Sequence, residues 1–383
     1  MRRALVLSVI LCAIGASADT RIELYTMGVG SDLFEAFGHG ALCVTDEQFP
    51  NGACYNYGTA DFRDPAVLVW QFLRGRAKFW ASRMPLPLMI QAYTEQDRTI
   101  YRQAIPLPND AAVALAAALE TDVRPENKYY AYNHYRDNCT TRLRDHLDRA
   151  SGGLLSAGSD ILTGQTWRDV TLRGFAIDVR LLIGMEFLVG WQVDSKMTLW
   201  DAMFLPDVLR AEAQKRLHAD VELVNVRKRP LPPTAPLAGR WLVFAGAGAL
   251  TILVAFAALL GKPRLWRFVL VLSGLLLGAV GFVVYGTALV SLMTELRKNE
   301  VLLVCLPTDL LLLVLRGRPL WVYLVARVAL LAAVAIGLAL GVLLQPMGAA
   351  LALVAGPLGV IAVRELQNAR RVPVTEEPIA GLT

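Results

Sequence analysis

Histidine is scarce in this chain: four residues in 383, at His39, His134, His146 and His218, beside five cysteines. No pair of them shows zinc-ligand spacing, so neither a metal nor a cofactor is expected. No glycine-rich phosphate loop precedes a basic helix start, and no G-x-S-x-G elbow occurs. Nucleotide-driven chemistry and the serine hydrolases of that type are therefore set aside. Motifs of nucleic-acid recognition are also lacking, so no nucleic-acid partner is expected. The net charge of +5 comes largely from Arg and Lys around long apolar runs. It reads as membrane topology and contact with anionic headgroups. Internal repeats and low-complexity tracts are not apparent.

The composition divides the chain. Arg2 and Arg3, the apolar stretch Ala4 to Ile14 and Ala16-Ser17-Ala18 have the form of a secretory signal over residues 1–18. The following part would then lie outside the cytoplasmic membrane, in an oxidising compartment. Residues 19–225 are mixed and globular, and the proline-rich linker 226–239 should be extended. Residues 240–363 hold five apolar segments, beginning at Trp241, Phe268, Val301, Leu320 and Met347, before a tail at 364–383. Five crossings from an external start put the tail inside with KPRLWR, RGR, Arg364, Arg370 and Arg371, as the positive-inside rule requires. Arg227, Lys228, Arg229 and Arg240 then sit on the wrong side. The segment 301–315 is short and holds Pro307 and Asp309. If it is re-entrant, with Asp309 lining a cavity, the C-terminus moves outside.

In the globular part, RIELYTM reads as a strand, and HGALCV and ACYNYGT as a hairpin around a turn with Pro50. If Cys43 lies opposite Cys54, Asn56 lies opposite Ala41, on the face of His39 and diagonal to it. That register allows a Cys43–Cys54 disulfide; two buried free thiols are the other reading. Residues 62–103 mix aromatics with basic residues. Trp70, Phe72, Phe79 and Trp80 form either core or a rim on the bilayer, with Arg74, Arg76 and Lys78 on headgroups. LMIQAYTEQDRTIYRQ reads as an amphipathic helix and AAVALAAALE as a strong one. Residues 161–218 are helical by pattern, with a kink expected at Pro206.

The chemistry concentrates in YYAYNHYRDNCTTRLRD, residues 129–145. Asn138 stands at a helix N-cap, Cys139 opens the helix, and Thr140 and Thr141 follow in its first turn; the helix should run to Ala150. A cysteine there feels the positive end of the helix dipole, which favours the nucleophilic thiolate. Its general base must come from elsewhere in the fold. His39 is the first candidate, framed by Gly38, Gly40 and Ala41, small residues that leave space for a substrate. His134, just before the cysteine, is its rival. His146 lies two helical turns beyond Cys139, about 10 Å away and out of reach. Asn56 would orient the His39 imidazole, with Tyr57 and Asp61 as further possibilities.

YTMGVGSDLFEAFGHGAL, YNYGTADF, NCTTRLRD and a D-x5-W-x3-FLP pattern, occurring in that order, resemble the Lnb N-terminal periplasmic domain family of bacterial membrane proteins. The resemblance implies an α+β, permuted papain-like (NlpC-like) domain ahead of an all-α transmembrane domain of about five helices. It implies lipoprotein N-acyltransferase activity on the periplasmic side of the inner membrane. A phospholipid would be the acyl donor and a diacylated lipoprotein the acceptor. Residue by residue, it places the catalytic pair at Cys139 and His39, with Asn56 and Asn138 as further candidate site residues. The same pair could serve a periplasmic amidase, peptidase or lipase, and a structural Cys139 would fit a membrane-anchored assembly module.

Overall fold

The structure, a computed structural model, describes residues 19–61, 63–231 and 235–371. The expected signal sequence and the end of the tail lie outside the described residues. Seven strands form one antiparallel sheet: β1 (Arg21–Met27), β2 (His39–Thr45), β3 (Ala53–Thr59), β4 (Lys78–Pro85), β5 (Ile100–Ile105), β6 (Tyr129–Ala131) and β9 (Val221–Asn225), in the order β6-β4-β3-β2-β1-β5-β9. A second, two-stranded sheet pairs β7 (Leu162–Thr166) with β8 (Lys196–Thr198). Around the sheets lie α1 (Pro65–Leu73), α2 (Leu86–Glu95), α3 (Asn109–Asp122), α4 (Cys139–Ala150), α5 (Trp167–Gly174), α6 (Val179–Leu188), α7 (Leu199–Ala202) and α8 (Pro206–Leu217). The domain is α+β, with the histidine strand before the cysteine helix.

The hairpin register follows the cysteines. Cys43 stands opposite Cys54 and Ala41 opposite Asn56, and the two cysteines form a disulfide. Helix α4 packs across β2 and β3 and drives Leu143 and Leu147, both fully buried, into the core beneath the sheet. Burying each is worth roughly 1.5–3 kcal/mol. A Cβ at Gly40 would lie 2.8 Å from Leu143 Cδ1. Gly40 is therefore small so that the helix can approach the strand. The small frame beside His39 serves packing at this position, not substrate space.

Several sequence readings change. β4 and β5 are strands in the stretch read as aromatics and helix; Pro65–Leu73 and Leu86–Glu95 are its helical parts. Phe79 is core at 2% exposure while Trp70 is half exposed, so the four aromatics form no single rim. Pro206 does not kink a helix: it opens α8, at the first turn where its missing N–H costs nothing.

Among the described residues the C-terminal part holds four helices long and apolar enough to cross a membrane: α9 (Ala238–Leu260), α10 (Pro263–Val290), α12 (Gly317–Ala339) and α13 (Gly348–Arg371). A one-turn α11 (Thr294–Arg297) follows α10. The expected fifth helix at 301–315 is instead two 3-10 segments, Glu300–Leu303 and Pro307–Leu313. This stretch still runs the length of α10, antiparallel to it. Tyr285 Oη donates to Leu302 O at 3.0 Å, Gly281 packs on Leu306, Gly278 on Leu310 and Gly274 on Leu313. Backbone without regular helical bonding is tolerated at such depth only when it is buried in protein. Here Arg327, 2% exposed, donates to both oxygens of buried Asp309 (2.8 and 2.9 Å) and to Val304 O. Tyr323 Oη adds a bond to Asp309 at 2.7 Å. Asp309, fully buried, thus anchors the irregular pass. The chain traverses the bundle five times, which places Arg364 at the same end as Lys262 and away from the α+β domain.

The domain sits on the other end of the bundle. Gly190 N–H donates to Glu295 O at 2.7 Å, Asn299 Nδ2 to Phe187 O at 2.7 Å, and Gln345 Nε2 to Val189 O at 3.0 Å. The basic residues around the linker that offended the charge rule are mostly engaged by protein. Arg227 donates to Val29 O, Arg229 lies 3.6 Å from Asp97, and Arg240 pairs with Glu186 at 3.0 Å.

Candidate active site

Cys139 is the first residue of α4 because Asn138 and Thr141 close a capping box. The Asn138 side chain accepts from Thr141 N–H at 2.9 Å, and Thr141 Oγ1 accepts from Asn138 N–H at 2.9 Å. Asn138 Nδ2 donates to His134 O and Phe204 O, both at 3.0 Å. Its polar atoms are thereby used in fixing the helix start. Asn138 holds the Cys139 backbone in place.

The His39 imidazole stands near enough to the Cys139 thiol to act on it electrostatically. His39 Nε2 lies 3.2 Å from Asn56 Oδ1, which leaves Nδ1 as the nitrogen for the thiol. Asn56 is 5% exposed. Burial pushes the Cys139 thiol up, but the neighbouring His39, the Thr140 hydroxyl and the Gly40 backbone N–H outweigh it and hold the thiol below its ordinary range. The Thr140 Oγ1 contact is 3.6 Å. Buried donors converging on one sulfur are what a thiolate needs.

One side of the cysteine is open by design of the backbone. Gly58 has φ +82°, and a Cβ there would lie 3.5 Å from Cys139 Cβ, 3.6 Å from the Tyr132 ring and 4.0 Å from Tyr130 Oη. The space between Cys139 and the tyrosines exists because that Cβ does not. Tyr130 Oη is shielded from solvent and has no hydrogen-bond partner. Its pKa is raised beyond the ordinary phenol value by burial, with the neighbouring Cys139 charge adding to it, so it stays a proton donor. On the other side, Tyr93 stacks on His39 with ring centroids 5.8 Å apart. The Arg98 guanidinium, 1% exposed, lies over Tyr93 at 5.6 Å.

The remaining candidates lie apart from the thiol. His134 is caged by Phe37, Tyr135, Phe175 and Phe204, with Nε2 unpartnered, and burial lowers its pKa to about 4. Tyr57 Oη and His146 Nε2 both bond Asp122 Oδ2, at 2.7 and 2.9 Å, and each other at 2.9 Å, in a closed network. Asp61 is half exposed and engaged with Arg63. Tyr130, Tyr132 and Tyr93, which stand around Cys139 and His39, were not among the sequence candidates. Tyr130 and Tyr132 sit within the aromatic run YYAY before the cysteine, but only the sheet shows that Tyr130 faces Gly58. Among the described residues no group of three or more His, Cys, Asp or Glu side chains could hold a metal ion.

Fold and site together define a membrane protein whose α+β domain presents a Cys–His–Asn constellation on a helical bundle. Residues 16–173 match the family model described as the Lnb N-terminal periplasmic domain. No curated protein and no solved structure matches the chain.

Proposed function

We propose that this protein is a membrane-bound thiol acyltransferase of the inner membrane. It would move an acyl chain from a phospholipid through a Cys139 thioester to the N-terminal amine of a diacylated lipoprotein. The observation that carries the reading is the Cys139 thiol, favoured toward thiolate by the neighbouring His39, in a domain docked on the end of a membrane bundle. A lipid donor and a lipid-anchored acceptor can both reach such a site laterally, whereas a soluble peptide has no need of the bundle.

In the first step His39 Nδ1 takes the Cys139 proton and the thiolate attacks the ester carbonyl. The oxyanion is met by free N–H groups at the start of α4 and by the Tyr130 hydroxyl. Collapse breaks the ester C–O bond, and the departing lysophospholipid alkoxide takes the proton from His39. In the second step the lipoprotein α-amine attacks the thioester. His39 accepts a proton from nitrogen, the C–S bond breaks, and the proton returns to sulfur. Asn56 keeps the imidazole in one tautomer throughout.

The test is a reconstituted reaction: the full chain in phospholipid vesicles with a diacylated lipopeptide bearing a free N-terminal amine. N-acylated lipopeptide and an equivalent of lysophospholipid are expected, both lost in Cys139→Ala. Lysophospholipid and free fatty acid with no acylated peptide would show a lipase instead.

A further inference from the structure

Helix α1 is an unusual element for an extramembrane domain. Its sequence, PAVLVWQFL, carries no charge. One face packs inward: Leu68 is 5% exposed and clusters with Ala77, Phe79, Phe72, Tyr130 and Tyr132, the last two being walls of the space in front of Cys139. The opposite face is left open, with Val67 48% and Trp70 50% exposed, and it continues along Pro65, Ala66, Val69 and Leu73 as an apolar shelf.

What covers that face is indicated by where the helix ends. Arg74 O accepts from Leu292 N–H at 3.2 Å, and Gly75 lies against Met293 and Leu292, the residues that follow membrane helix α10. Leu289 and Leu292 beside this junction are 81% and 55% exposed. The shelf is therefore continuous with the lipid-facing end of α10. Its C-terminal flank is cationic, with Arg74, Arg76 and Lys78, and Arg74 Nε is shielded from solvent without a partner in the protein. An apolar helix face bordered by cations at the level of a membrane-helix terminus has the chemistry of the bilayer interface.

We propose that α1 lies in the membrane interface as a ledge, with Val67 and Trp70 among the acyl chains and Arg74 at the phosphates. Acyl chains then pass from the leaflet over Phe72 and Tyr132 to Cys139. The second half rests on the acyltransferase reading; the bilayer contact does not.

Single spin labels at Val67→Cys and, as a control on the exposed face of α3, at Val113→Cys would be placed in the full-length Cys139→Ala chain in phosphatidylethanolamine–phosphatidylglycerol vesicles. The same chain without either new cysteine corrects for labelling of Cys305. Collision with oxygen exceeding collision with a water-soluble nickel chelate at Val67, and the reverse at Val113, is expected. Chelate collision dominating at Val67 as at Val113 overturns the interfacial ledge. For the delivery role, Val67→Asp/Trp70→Asp should lower acyl transfer from vesicle phospholipid at least tenfold while iodoacetamide still titrates the Cys139 thiol. Undiminished transfer overturns delivery. A label in the bilayer with no acyl transfer by the wild-type chain would instead refute the enzymatic reading and leave the ledge standing.

Discussion

His39 and Asn56 meet diagonally across the β2–β3 hairpin, Nε2 to Oδ1 at 3.2 Å, in a register held at the next matching rung by the Cys43–Cys54 disulfide. Because Oδ1 accepts, Nε2 carries the proton, and Nδ1 is left as the nitrogen available to act as base. Asn56→Ala should therefore lower turnover about tenfold or more while leaving the fold intact. Steady-state acyl transfer against thermal unfolding separates the two effects. An equal loss of melting temperature and activity would argue that Asn56 only packs.

The Cys139 thiol is held below its ordinary range chiefly by His39, against the opposing effect of burial. The pH profile of iodoacetamide alkylation should lie at lower pH than that of an ordinary thiol. His39→Ala should move that profile upward and slow alkylation at neutral pH. An unchanged profile would mean that His39 does not set the thiolate.

Gly58→Ala puts a methyl between Cys139 and Tyr130 and forces an alanine to φ +82°. A stability loss of about 1–2 kcal/mol is expected from the backbone alone. Acyl transfer should fall further than stability, because the space for the carbonyl is filled. Tyr130→Phe, which keeps the ring and removes the unpartnered hydroxyl, should lower turnover about 10²-fold with little change in melting temperature. Full activity in Tyr130→Phe would leave the oxyanion to backbone donors.

His134 gives a pH dependence of stability. Its pKa in the folded chain, about 4, lies below the unfolded value near 6.5 because burial disfavours the charged ring. The folded state is unpenalised above about 6.5, where the ring is neutral in both states. As pH falls from there towards 4, only the unfolded chain gains the proton, and on the order of 2–3 kcal/mol is lost. His134→Phe, a ring suited to the cage of Phe37, Phe175 and Phe204, should flatten that slope. Urea unfolding at pH 7 and pH 5 measures it, and an identical slope in the variant would contradict the assignment.

Much of the site was legible in the chain. Asn138-x-x-Thr141 announces the helix start at Cys139, and the alternation around Cys43 and Cys54 fixes the face shared by His39 and Asn56. Local patterning could do this because each feature is set within a few residues. Strand β5 was missed because Gln103, fully buried, breaks the alternation: it donates to Ala219 O and Arg210 O, partners more than a hundred residues away. The third apolar segment read as a span by composition. Its irregular backbone depends on Arg327 bonding Asp309 from the next helix, which no local pattern shows. Gly40 read as room for substrate because Leu143, the group that fills it, arrives from another element.

The most direct test of the central claim is the intact mass of the detergent-purified chain after exposure to phospholipid, wild type against Cys139→Ala, with and without neutral hydroxylamine. The account predicts an added acyl mass that requires Cys139 and disappears with hydroxylamine. Absence of any adduct on wild-type protein with no lipopeptide acceptor present would contradict a thioester intermediate at Cys139.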